Sequence, residues 1–145
     1  MLSAYDEMMA EEAGQVLHSE ERPIQITLTP PQSKVFNSTS RYVVNVAGRR
    51  SGKTHLARTK IFAQASNNRN QRCWYVAPTY RMAKQIMWQE MKDLVLTSKR
   101  NAAPPNETDL SIQLINGTTI ALRGADNPDS LRGVGIDYLV LDEVQ

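Results

Sequence analysis

The sequence predicts an α/β layered domain, with a largely parallel sheet flanked by helices and a β-hairpin ahead of the last strand. Three observations carry this. Short apolar runs at 42–46, 73–77 and 138–141 are continuous enough to be strands buried on both faces. Helical patterns at 53–65 and 80–98 alternate with them, as in strand–crossover–strand units. Asn116-Gly117 separates the segments 111–115 and 118–122, the strongest short-range hairpin signal.

Each element has a local reason. Residues 1–21 hold six acids and no Lys or Arg, so they read as an acidic leader that forms a short helix or stays loosely attached. Pro23 ends it, and Ile24 to Leu28 is extended. Thr29-Pro30-Pro31-Gln32 starts a short helix, with Thr29 as cap and prolines in the first turn. Tyr42-Val43-Val44-Asn45-Val46 is the first strand, and Asn67-Asn68-Arg69-Asn70 stops the helix that follows it. Pro78 closes the strand at 73–77. The long helix after it has Met82, Ile86, Met87, Met91, Leu94 and Val95 as its inner stripe. Residues 102–106 are a loop, 124–135 a polar connection punctuated by glycines, and Tyr138–Leu141 a last buried strand.

Composition bounds the function. The chain of 145 residues suits one core rather than two. Its apolar runs fall well short of the roughly 20 residues a membrane span needs. The acidic start lacks the features of a secretory signal. The single cysteine, Cys73, excludes an internal disulfide framework and, beside Trp74, reads as a strand residue rather than a nucleophile. Past residue 21 the chain carries 17 basic and nine acidic side chains, a net +8 compatible with polyanionic partners.

The most informative stretch is Ala47-Gly48-Arg49-Arg50-Ser51-Gly52-Lys53-Thr54. It fits G-x-x-x-x-G-K-[ST] with Ala47 at the first glycine, and it lies between a predicted strand and a helix. Gly52 lets the backbone approach a phosphate, and the loop amides form an anion nest. Lys53 reaches the β- and γ-phosphates, Thr54 offers its hydroxyl to Mg²⁺, and the helix start adds its positive end. The alternative, a glycine-rich turn beside a surface lysine, lacks that context. The expected ligands are therefore ATP and Mg²⁺, and the fold is a P-loop NTPase core.

Asp142-Glu143 follows the strand at 138–141. Asp142 is placed to hold Mg²⁺ through water, and Glu143 to orient and deprotonate an attacking water. Alone, such a pair usually marks a turn into solvent; together with the phosphate loop it points to hydrolysis.

These pieces resemble the ATPase half of the large terminase subunit of tailed bacteriophages, from about Thr29 to Gln145. Two phrases carry the resemblance beyond the loop and the acidic pair: residues 76–84, VAPTYRMAK, and residues 124–133, GADNPDSLRG. The resemblance implies an ATP-driven motor that moves double-stranded DNA into a procapsid. It implies a homo-oligomeric ring, a small terminase subunit and a portal protein as partners, and the bacterial host's cytoplasm as location. It places Gln32 on adenine and Arg49 near the γ-phosphate, so that Glu143, Arg49 and Lys53 are the expected catalytic residues. Gln32, Ala47, Gly48, Arg49, Arg50, Ser51, Gly52, Lys53 and Thr54 are the expected nucleotide-binding set, with Thr54 and Asp142 for the metal. Arg81, Arg123 and Arg132 are candidates for contacts across a subunit boundary or to DNA, or else ordinary salt-bridge arginines.

Family members of this type continue into further ATPase strands and a nuclease domain. Residues 1–22 are thus expected to be a leader and 23–145 the N-terminal part of the ATPase domain, a partial product. A helicase-like DNA translocase fragment and a non-catalytic prophage remnant that binds nucleotide stay open as other readings.

Overall fold

The computed structural model describes residues 26–48 and 52–143. The acidic leader lies outside them. The first described helix, α1, spans Pro30–Phe36 and opens on a reciprocal capping box: Gln32 N–H donates to Thr29 Oγ1, and Thr29 N–H donates to Gln32 Oε1. Helix α2, Lys53–Asn67, follows a left-handed Gly52 (φ 79°). Strand β1 is Arg72–Ala77. The long helix after Pro78 is one continuous run in three parts. It comprises α3 (Tyr80–Ala83), a π-helical turn (Lys84–Trp88) and α4 (Gln89–Thr97). The widened turn brings consecutive residues Met87 and Trp88 into the core, both buried.

Strands β2 (Ser111–Gln113) and β3 (Thr119–Gly124) form the hairpin, and β4 (Tyr138–Leu141) comes last. At the hairpin turn Gly117 has φ 85°, and Asn116 Nδ2 donates to the carbonyls of Ala65, Ser66 and Asn68. The turn that makes the hairpin therefore also satisfies the open carbonyls at the end of α2.

The sheet has four strands in the order β2-β3-β1-β4. β1 runs parallel to both β3 and β4, and only β2–β3 is antiparallel. Cys73, Tyr75 and Ala77 alternate onto the face that packs against Ile61, Phe62, Met87, Met91 and Val95 of the helices. Trp74 and Val76 point the other way, under Leu131, Val134 and Ile136 of the connection 125–137, which contains a short 3-10 turn at Pro128–Leu131. None of the described helices is long and apolar enough to cross a membrane.

Two expectations need correction. Tyr42–Val46 is not a buried strand: it is unpaired, with Val44 87% and Val46 92% exposed. Its β-branched composition suits a strand, but a strand needs a neighbour, and the segment does not pair with β4, whose outer edge has no partner among the described residues. β4 is half-buried rather than buried. As the last strand in the order it leaves Leu139 and Leu141 exposed, while Tyr138 and Val140 pack on the helix-side core.

Candidate functional site

The two phrases 76–84 and 124–133 meet at the carboxyl ends of β1 and β3. The first turn of α3 is capped twice. Thr79 Oγ1 accepts from Met82 N–H at 3.0 Å, and Asp126 Oδ1 accepts from Tyr80 N–H at 3.2 Å. Ala125 N–H donates to the Ala77 carbonyl at 2.8 Å. The crossing is so close that a Cβ on Gly124 would lie 2.0 Å from Tyr80 N, so no other residue fits there without moving backbone. Asp126 and Gly124 thus lock the connection to the helix start beside the site.

At the tip of β4, Asp142 N–H donates to the Val76 carbonyl at 2.9 Å, continuing the ladder with β1 one step past the strand. Asp142 Oδ2 accepts from Tyr75 Oη at 2.6 Å. Tyr75 is fully buried, and burial together with the neighbouring Asp142 pushes its phenol far above its ordinary range, so it stays a donor. Glu143 then adopts a left-handed backbone (φ 54°), which takes it out of the alternation of the strand. Its Oε1 lies 3.7 Å from Lys53 Nζ in the first turn of α2. The two side chains are 37% and 50% exposed, and a pair that open contributes only about 0–1 kcal/mol. Either partner is easily given up to a stronger ligand.

On the other flank, Gln32 is engaged at both ends of its amide. Oε1 closes the capping box, and Nε2 donates to the Gly52 carbonyl at 3.2 Å. A Cβ on Gly52 would lie 2.3 Å from that nitrogen. One amide hydrogen and one oxygen lone pair of Gln32 stay available. Further contacts fasten α1 and its approach to α2. Lys60 Nζ donates to the last carbonyls of α1, Val35 and Phe36. His55 bridges Thr27 and Arg58: with the hydrogen on Nε2 the ring donates to the Thr27 carbonyl and accepts from Arg58 at Nδ1. Arg58 also pairs with Glu90 of α4.

The structure therefore brings Gln32, Gly52, Lys53, Asp142 and Glu143 to one end of the sheet, with Thr54 next to Lys53 in the same turn. Ala47 and Gly48 are described as part of the unpaired segment before the loop, and Arg49, Arg50 and Ser51 lie outside the described residues. Of the three further arginines, Arg123 is tied down. Its guanidinium stacks 4.9 Å from the Trp74 ring centroid and bonds the carbonyl and carboxylate of Asp109. Arg132 is exposed beside Asp129, and Arg81 is exposed with no ion pair among the described residues.

The donor chemistry fits a magnesium nucleotide. Mg²⁺ is commonly held by one or two carboxylates together with substrate phosphates rather than by a full protein cage. A single aspartate, Asp142, meets that pattern, with Thr54 in the helical turn that carries Lys53. Sequence reasoning missed Tyr75, because only the parallel register of β1 and β4, pairing Tyr75 with Val140, sets its hydroxyl beside Asp142.

Known proteins share the sequence pattern and the fold. A family model described as "Terminase large subunit, T4likevirus-type, N-terminal" matches residues 44–145. The terminase large subunit of Escherichia phage T5 is 30% identical over 122 residues, which cover 81% of this chain and 27% of that protein. The terminase large subunit of Thermus phage G20c is 25% identical over 129 residues, covering 77% and 27% respectively. Among solved structures, the large terminase ATPase domain of Thermus phage P74-26 matches with a TM-score of 0.65 at 22% identity, over 94% of this chain and 57% of that one, a likeness of fold. The chain spans about a quarter of the length of the curated relatives it matches.

Proposed function

The chain belongs to the terminase large-subunit family, and from that premise we propose that it is the ATP-binding part of a motor that hydrolyses ATP to move double-stranded DNA into a procapsid. The observation that carries the reading is the 3.7 Å approach of Lys53 to Glu143, which joins the end of the phosphate loop to the acidic strand tip.

In this reading Lys53 exchanges Glu143 for the β- and γ-phosphate oxygens, and the loop amides and the start of α2 add positive potential there. Thr54 and Asp142 hold Mg²⁺, which when bound neutralises charge developing on the transferred phosphoryl group. Glu143, released from Lys53, orients a water and takes its proton at a carboxylate oxygen. Arg49 stabilises charge at the γ-phosphate, and Ala47, Gly48, Arg50 and Ser51 complete the loop. Gln32 reads the N6/N7 edge of adenine with the hydrogen and lone pair that its contacts to Gly52 and Thr29 leave over. Membership of the family supports, as part of this proposal, the DNA, the small subunit, the portal, a homo-oligomeric ring and a location in the bacterial host's cytoplasm. Arg81, Arg123 and Arg132 are the candidates to act across a ring interface, Arg81 and Arg132 being the more exposed.

Replacing Glu143 by Gln in the ATP-hydrolysing protein tests the assignment. ATP affinity is expected to persist while turnover falls by about 100-fold or more, the usual contribution of a positioned base. Undiminished turnover assigns the water to another residue.

A further inference from the structure

Tyr75 is a large aromatic residue in the middle of the sheet, and its ring belongs to the core formed with Ile61, Phe62 and Met87. Its hydroxyl, however, reaches past the core to a functional carboxylate. The 2.6 Å bond to Asp142 Oδ2 is charge-assisted and short, and it comes from a side chain with no exposure and therefore little freedom to move. The carboxylate is held a second way, through its own backbone, by the Asp142 N–H bond to Val76. One carboxylate oxygen is thereby committed to Tyr75, and Oδ1 is the oxygen left for another ligand.

We propose that Tyr75 is a positioning residue for the divalent-cation half of the site: its hydroxyl fixes the Asp142 carboxylate so that the other oxygen serves Mg²⁺. This rests on the reading of Asp142 as a metal-binding residue. Groups that orient a metal's ligands from behind typically change metal affinity by about 10–100-fold when removed. A buried tyrosine hydroxyl that merely sought a partner would instead affect stability alone.

Tyr75→Phe removes one oxygen and keeps the ring. The measurement is the affinity of a fluorescent ATP analogue for the full chain as Mg²⁺ is titrated, and again in EDTA. The variant is expected to need about tenfold more Mg²⁺ for half-maximal enhancement of binding, with the affinity in EDTA unchanged. Asp142→Asn supplies the second arm. If Tyr75 acts through Asp142, adding Tyr75→Phe to Asp142→Asn shifts the Mg²⁺ requirement no further. A lowered melting temperature with an unchanged Mg²⁺ requirement overturns the proposal, as do additive shifts in the double variant. Wild-type binding that ignores Mg²⁺ defeats the metal-site reading itself, and the proposal with it. Wild-type binding that depends on Mg²⁺, with no response to Tyr75→Phe, defeats the proposal alone.

Discussion

The two halves of the candidate site are held in opposite ways. The acidic half grows out of the sheet. Asp142 continues the β1–β4 ladder, Tyr75 grips its carboxylate, and Tyr75 is flanked on its other side by Leu122 of β3, which has no exposure. The phosphate half hangs on the first turn of α2. Its approach, residues 42–48, is unpaired and mostly exposed, and the flank is fastened by polar clasps from Gln32 and His55 rather than by an apolar core. α1 itself has no buried residue. One half is thus placed by packing, whose energy is large and cooperative. In the other, α2 is packed through Leu56, Ile61 and Phe62, and only the loop's approach and the α1 flank rest on hydrogen bonds of roughly 1 kcal/mol each, which a ligand can rearrange.

That contrast can be broken on the sheet side first. Gly124→Ala puts a methyl against the backbone of Tyr80 and is expected to cost about 3 kcal/mol, read as a lowered denaturant midpoint with an unchanged slope. On the clasp side the effect is smaller. Thr29→Ala removes the N-cap acceptor of α1 at a cost of about 1 kcal/mol of local stability. Hydrogen exchange should therefore rise in α1 while β1 stays protected. Equal loosening of β1 would show that the two halves are one cooperative unit.

A gentler probe is pH. Burial pushes the Cys73 thiol from 9.0 up to about 11, and burial pushes the Tyr138 phenol from 10.0 up to about 12. Both groups favour the folded state when protonated. Their contribution is whole below pH 9 and is lost as pH rises through about 11 to 12. The core side should weaken progressively above pH 9 in alkaline unfolding, with Cys73 resisting alkylation until it does.

The same division explains what the sequence disclosed. Local signals held wherever the chain makes its own element. Thr29 and Gln32 closed the expected capping box, Asn116-Gly117 turned the expected hairpin, and Tyr138–Leu141 is the expected strand. Long-range partnership was hidden. Nothing local reveals that Val43, Val44 and Val46 stay unpaired, because pairing depends on a distant partner, and the segment leaves the outer edge of β4 unused. Nor does it reveal that Arg123 stacks on Trp74, or that Tyr75 meets Asp142, since both follow from strand register. That Lys53, Asp142 and Glu143 would come together was legible because each lies in a short motif at the end of an element. Tyr75 was not, because its role comes from its neighbour.

The central claim is that Lys53 anchors a nucleotide phosphate opposite Glu143. Calorimetric titration of Mg²⁺-ATP into the wild-type chain and into Lys53→Ala tests it most directly. The account predicts saturable one-site binding in the wild type and a loss of about 100-fold or more in the variant, since a charge-assisted contact to phosphate is removed. Equal affinity in the two proteins would contradict it.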